Sequence, residues 1–137
     1  SDKIDLISGD AESLAYSNNY FDVITIGFGV RNFQNLIKGL DESRRVLKEN
    51  GKLIILESSI PKNPIIRFFY FIISKVYIPF LGLLFSKDKS AYNYLQKSAE
   101  KFPSGNKFVE ILKKCGFKNI KTTEQMLGAT SIYIAQK

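Results

Sequence analysis

Two short, almost unbroken apolar runs bracket a stretch of helical periodicity, and few folds accommodate that pattern. Phe21 to Ile26 is β-branched and apolar nearly throughout, and Lys52 to Glu57 repeats the type. Such runs read as strands buried on both faces. Between them, over residues 35–49, Leu36, Ile37, Leu40 and Leu47 fall near one face, with Val46 beside it. Lys38, Asp41, Glu42, Arg45 and Lys48 lie mostly on the other faces. Asn35 is placed to cap this helix, and Gly51, after Asn50, to stop it. Gly39 inside it costs about 1 kcal/mol against alanine. Strand, helix, strand at this spacing predicts a right-handed crossover in a parallel sheet. Ligands of open α/β sheets sit beyond the carboxyl ends of the strands, so the residues after each run form the candidate site. Gly27 and Gly29 break the first run, with Arg31 and Asn32 next; Glu57, Ser58 and Ser59 end the second at the same edge. An ordinary turn carrying a surface arginine fits the same residues, and the pattern alone leaves both readings open.

The rest of the chain supplies shorter elements. Asp5 to Ser8 reads as a brief strand ended by Gly9 and Asp10. Asp10 and Glu12 either accept hydrogen bonds from a ligand or serve as a turn cap and a solvated carboxylate. Residues 64–85 are dense in Ile, Phe and Leu and long enough to span a membrane. Lys75 at the centre and the breaks at Pro79 and Gly82 argue instead for one or two helices that partly cover the sheet. They either present apolar surface to a greasy ligand or bilayer interface, or form a lid packed on the core. Residues 86–103 read as a loop and a polar helix on which Tyr92 and Tyr94 face apart. Ser104 is placed to cap a further helix with Phe108, Val109, Ile111, Leu112 and Cys115 on its inner face, closed by Gly116. Phe117 to Thr122 and Thr130 to Gln136 alternate at period two and predict a final pair of strands joined around Gly128.

Composition removes several chemistries. The 137 residues contain no histidine, so a histidine triad, base or metal ligand is absent from the chain. The single cysteine, Cys115, allows neither an internal disulfide nor a thiolate cluster, and reads as a small core residue. No Gly-x-Gly-x-x-Gly, phosphate-binding loop or nucleophile elbow occurs. The net charge of +7 is uneven: residues 1–61 carry −2 and residues 62–137 carry +9. Basic charge beside apolar surface suits an anionic membrane as well as nucleic acid. The sequence opens on Ser1 in a strand-like run without a visible secretory signal. The expectation is a cytoplasmic protein whose sequence begins mid-domain.

The motifs resemble those of the ubiquinone/menaquinone biosynthesis C-methyltransferases over nearly the whole chain. Gly9 to Leu14 resembles that family's loop after its third strand, and Tyr20 to Asn32 its fourth-strand motif. Arg45 to Ser59 resembles its signature around the fifth strand, and Ser90 to Leu95 and Cys115 to Phe117 match as well. Glu49-Asn50 stands where the family usually has Pro-Gly, and Gly27 where a serine often contacts the cofactor. The resemblance implies an α/β fold, an incomplete Rossmann-like class I methyltransferase sheet with a helical lid insertion over residues 62–103. It implies that residues 1–137 are the carboxyl-terminal portion of the domain, without the glycine-rich first half.

The same resemblance implies S-adenosylmethionine as cofactor and a ring carbon of a polyprenylated quinol as methyl acceptor. Asp10 would accept from the adenine amine, the Ala11 N–H would donate to a ring nitrogen, and Gly27 would line the sulfonium side. Arg31 and Asn32 would face the quinol, with Arg31 stabilising a developing phenolate. The base would be a carboxylate, a tyrosine such as Tyr92, or water. The implied partners are the quinol and the inner face of the plasma membrane, met peripherally, and not nucleic acid. Residues 1–137 alone are expected to be inactive. Their sheet is expected to close up, to pair with a second copy as a homodimer, or to leave residues 1–9 displaced. A methyltransferase of another lipid and a non-catalytic lipid-surface module are the competing expectations.

Overall fold

The computed structural model describes residues 4–77, 80 and 89–137, the last of these without the side chains of residues 89–93. A four-stranded sheet is built from β1 (Phe21–Gly27), β2 (Leu47–Ser58), β3 (Lys118–Gln125) and β4 (Thr130–Gln136), in the order β1-β2-β4-β3. β1 and β2 are parallel, and β4 runs antiparallel to both β2 and β3. The crossover between the parallel strands is α1 (Leu36–Val46). After β2 come α2 (Pro64–Ile72), which continues as a π-helical turn over Ile73–Tyr77, then α3 (Lys89–Lys101) and α4 (Asn106–Lys114). The strand–helix–strand unit and the final strand pair form as the sequence predicts. Pro79 and Gly82 lie outside the described residues.

α1 starts where Asn35 Oδ1 accepts the Lys38 N–H at 3.1 Å, satisfying one of the free donors of its first turn. It ends three residues earlier than the periodicity suggests, because Leu47 is already extended and pairs with Phe21. Register then skips from Phe21–Leu47 to Val23–Lys52, so residues 48–51 loop out of the ladder. Asn50 takes a left-handed φ of 65° there, a conformation asparagine tolerates better than most side chains. At Gly51 a Cβ would stand 2.8 Å from the Lys48 carbonyl oxygen. Gly39 also has a packing reason: an added Cβ would overlap the Phe33 ring.

The core lies on the α1/α4 face of β2 and β4. Leu53 and Ile55 of β2 and Tyr133 and Ala135 of β4 are buried against Leu40, Phe108, Leu112 and Phe117. Phe108 packs between Phe102 and Tyr133, with both ring centroids 4.8 Å away. The Tyr133 hydroxyl, buried with its ring, accepts the Gly105 N–H at 2.7 Å and so fixes the start of α4. Gly105, not Ser104, is the residue before that helix, with φ 68°; a glycine meets that backbone demand and a serine does not.

Two strand expectations are corrected. β1 is not buried on both faces: none of its residues is fully buried, and Val23 is 48% exposed. Residues 4–9 form no strand, and Ile4, Leu6 and Ile7 are 85%, 94% and 69% exposed. A run of apolar residues becomes a strand only where a neighbour supplies the other half of its hydrogen bonds.

Cys115 sits at the end of α4, buried with the core. Burial, with the nearby Asp41 carboxylate, pushes its thiol up from about 9 to about 11. The folded chain therefore keeps the neutral thiol through a range where the unfolded chain ionises. This stabilising contribution is complete below pH 9 and is lost as pH rises toward 11. Iodoacetamide is expected to leave Cys115 unmodified at pH 8 in the native protein and to alkylate it in urea. Mass spectrometry checks the outcome; equal rates in both states would contradict the buried thiol.

Candidate active site

The carboxyl ends of β1 and β2 and the 3-10 turn Val30–Asn32 build the site. Gly27 pairs with Leu56, and nothing lies within 4 Å of where its Cβ would stand, so open space meets the backbone there. Phe28 follows with a left-handed φ of 53°, held by its N–H donating to the Leu56 carbonyl at 2.8 Å. Phenylalanine rarely takes this conformation, which costs about 1–3 kcal/mol and occurs mostly where structure around it compensates. The strain reverses the chain so that Val30 enters the core and Arg31 turns back over β2.

Arg31 is not a surface arginine. Its side chain is 9% exposed, and Nη1 donates to Glu57 Oε1 at 2.5 Å. Glu57 is fully buried at the end of β2. Glu57 Oε1 also accepts the Ser58 N–H at 2.7 Å, and Oε2 accepts the Arg31 N–H at 3.3 Å. The carboxylate thus holds both the backbone and the guanidinium of one residue. Arg31 also lies over the Phe28 ring, 5.7 Å from its centroid. Its Nε is buried without a hydrogen-bond partner among the described residues.

Asn32 is exposed on the same turn, and its Oδ1 accepts the Tyr94 hydroxyl from α3 at 2.9 Å. α3 divides the space in front of Arg31. Tyr94, Lys97 and Lys101 line a cavity of about 380 Å³ floored by Val30, Phe33 and Phe102. Leu95, Ala99 and Glu100 line a second, of about 370 Å³, with Phe28, Ser58 and Tyr70. Arg31 is the residue common to both. In the second cavity burial, then the Glu100 charge, pushes the Tyr70 phenol above its ordinary value. The hydrogen bond from Lys75 holds Glu100 below the usual carboxylate range.

The loop carrying Asp10 and Ala11 lies along α1. Asp10 Oδ1 accepts the Glu12 N–H at 2.9 Å, and Glu12 Oε1 accepts the Asn35 N–H at 2.8 Å at the start of α1. Arg45 ties down the continuation through the Leu14 and Tyr16 carbonyls and Asn18. It also bonds Glu42, whose carboxyl it holds low. Asp10 is therefore a turn cap, still exposed, and Glu12 is a tether rather than a solvated carboxylate.

The structure brings Arg31, Asn32 and Gly27 to one sheet edge, with Asp10 and Ala11 on the neighbouring loop held to α1. Tyr92 is in α3, but its side chain lies outside the described residues; Tyr94 is the tyrosine seen to meet the rim. The sequence places Glu57 at this edge and Tyr94 on a helix face opposite Tyr92, but it does not show what either residue bonds. The pairing of Glu57 with Arg31 was signalled by a carboxylate inside an apolar strand, which needs a partner once buried. Tyr94 was signalled by helix phase: Tyr94, Lys97, Ser98 and Lys101 share one face.

A profile of the ubiE/COQ5 methyltransferase family matches residues 1–137. The chain belongs to that family. A demethylmenaquinone methyltransferase of Bacteroides fragilis is 41% identical over 137 residues, 100% of this chain and 56% of that protein. A ubiquinone/menaquinone biosynthesis C-methyltransferase UbiE of Cereibacter sphaeroides is 37% identical over 136 residues, 99% of this chain and 54% of that protein. The chain thus spans about half the length of these relatives. Among solved structures, a SAM-dependent methyltransferase from Thermotoga maritima matches with a TM-score of 0.62 at 18% identity, over 96% of this chain and 63% of that one. One from Aquifex aeolicus matches equally well, with a TM-score of 0.62 at 15% identity, over 96% and 54%. At such identities the likeness concerns the fold: a ubiE/COQ5 chain with part of the methyltransferase sheet.

Proposed function

We propose that this chain supplies the substrate-side half of an enzyme that transfers a methyl group from S-adenosylmethionine to a ring carbon of a polyprenylated quinol. The observation that carries the reading is Arg31: a guanidinium clamped at the carboxyl end of β1, between two cavities, with Nε and Nη2 both unbonded among the described residues. The substrate class is supported by the chain's relatives, a demethylmenaquinone methyltransferase and a ubiquinone/menaquinone biosynthesis C-methyltransferase. Gly27, where the family often carries a serine, leaves open space at the carboxyl end of β1. In this reading Gly27 borders the sulfonium, and Asp10 and the Ala11 N–H meet the adenine. When bound, S-adenosylmethionine supplies an electrophilic methyl group. Arg31 lowers the energy of the ring oxyanion that forms as the quinol hydroxyl loses its proton, a contribution of the oxyanion-hole type. Asn32 and Tyr94 hold the rim. Glu57 already accepts three hydrogen bonds, from the Arg31 side chain and the Arg31 and Ser58 N–H groups, so the proton goes to another group, with another carboxylate, Tyr92 or water in that role.

Residues 62–103 act in this reading as a lid. Ile65, Phe68, Phe69 and Val76 of α2 and the π-helical turn are 56–68% exposed. No described helix is long and apolar enough to cross a membrane. The exposed face instead suits peripheral contact with the inner face of the plasma membrane, from which the tail enters. The free edge of β1 suits pairing with a second copy. Residues 1–137 alone are proposed to turn over nothing.

The test uses the full-length gene product, labelled S-adenosylmethionine, and a demethylated menaquinol or a phospholipid as acceptor. Label is expected in the quinol; label in the phospholipid instead would select a methyltransferase of another lipid. Vesicle binding with neither cofactor binding nor transfer would select a lipid-surface module. Arg31→Ala is expected to lower kcat by about 10²–10³-fold while cofactor affinity stays within about twofold. Equal losses in both would reject the oxyanion role.

A further inference from the structure

We infer that Glu57 is the positioning residue of the site, fixing which edge of the Arg31 guanidinium faces the ligand; the inference rests on the proposed quinol chemistry. A guanidinium has three nitrogens and offers paired donors along its edges. In Arg31 the Nη1 nitrogen is used, by Glu57 Oε1 at 2.5 Å and more weakly by Ser58 Oγ at 3.4 Å. Nε is buried and has no partner among the described residues. Among the described residues Nη2 has none either, since the hydrogen bonds of Arg31 run from its backbone N–H and from Nη1. The Nε–Nη2 edge is thus left as a pair of parallel donors with nothing of the protein to bind.

That arrangement has a stated cause. A lone carboxylate beside an arginine most readily takes it fork to fork, consuming two nitrogens. Glu57 does not, because its second oxygen is committed to the Arg31 N–H and its first is shared with the Ser58 N–H. Both backbone donors belong to segments the sheet fixes: Ser58 closes β2, and Arg31 follows the reversal at Phe28. The carboxylate is held by the backbone first and holds the guanidinium second, through one nitrogen only. An unsatisfied buried donor is costly, so the free edge favours a ligand that brings an acceptor oxygen. A ring oxyanion does so, and more strongly than the neutral hydroxyl from which it forms. Glu57 also leaves the pair with no net charge, so selectivity for the oxyanion comes from aimed donors rather than from a bare cation. Lysine at position 31 would keep the charge and lose the edge.

The experiment is a double-mutant cycle on the full-length gene product with a demethylated menaquinol and S-adenosylmethionine. Glu57→Gln is expected to lower kcat at least tenfold, with KM for both substrates changed less than about threefold. Arg31→Ala with Glu57→Gln is expected to be no slower than Arg31→Ala alone, because Glu57 acts through Arg31. Arg31→Lys is expected to resemble Arg31→Ala. Without turnover, 2-hydroxy-1,4-naphthoquinone, whose ring carries an oxyanion at neutral pH, is expected to shift the Arg31 Nε–H resonance in the wild-type protein and not in a folded Glu57→Gln variant. If Glu57→Gln unfolds, the Arg31→Lys rate and the wild-type titration still decide the matter. Additive losses in the cycle, wild-type rates for Arg31→Lys, or an unmoved Nε–H resonance overturn the inference. An Arg31→Ala enzyme with full activity overturns instead the quinol reading beneath it.

Discussion

Glu57→Ala is expected to destabilise the folded chain by about 3–5 kcal/mol, the cost of leaving one member of a buried ion pair without the other. Glu57 is fully buried and the Arg31 side chain is 9% exposed, so water screens the orphaned guanidinium poorly. The Ser58 and Arg31 N–H groups lose their acceptor in the same step. Urea denaturation followed by circular dichroism checks the magnitude. The control is a double variant, Glu57→Met with Arg31→Met, which removes both charges and fills similar volume. It is expected to recover most of the loss, because the desolvation cost of the pair disappears along with its attraction. A loss below about 1 kcal/mol in the single variant would place the pair in the class of exposed ion pairs. The site is thus held by an interaction whose main contribution is definition of geometry, as the proposed role of Arg31 requires.

The second large effect belongs to the core behind the site. Phe108→Ala is expected to cost about 3–5 kcal/mol, from lost transfer energy and the cavity left behind. Phe108 is fully buried and wedged between Phe102, just past α3, and Tyr133 of β4. Collapse into the gap is opposed on both sides, since Tyr133 is anchored through the Gly105 N–H and Phe102 through the turn that ends α3. Because Phe102 also walls the cavity shared by Tyr94 and Arg31, the same substitution reaches the rim. The urea midpoint gives the stability. Crystallography or amide chemical shifts at residues 94–102 would show whether the α3 end moves with it. A cost under about 1.5 kcal/mol, typical of volume-conserving swaps, would mean the core closes over the gap.

The elements that were legible in the sequence are those whose burial pattern is local. The crossover α1 between β1 and β2 follows from periodicity alone, as do the paired strands β3 and β4 around Gly128. The family was legible from Tyr20–Asn32 and Arg45–Ser59, and the profile match over residues 1–137 bears it out. The misreadings share a cause. Asp5 to Ser8 has strand composition and forms no strand, because ladder hydrogen bonds come from a neighbour and not from the run itself. The apolar run of β1 reads as buried on both faces, because its content does not say whether a layer covers each face. Ser104 reads as a cap, yet Gly105, whose N–H donates to the Tyr133 hydroxyl, is the residue that precedes the helix.

Sequence by itself determined the crossover unit, the placement of Arg31 and Asn32 just past a strand end, the lack of any histidine among these 137 residues and the family. The tertiary structure alone decided what Arg31 is. Residues 31 and 57 are brought into contact only by parallel pairing of β1 with β2 and by the left-handed turn at Phe28. Periodicity records which residues avoid water, and it carries no information about which buried charge will neutralise which. That is settled when two strand ends meet at one edge, and there the guanidinium acquires both its partner and its free face.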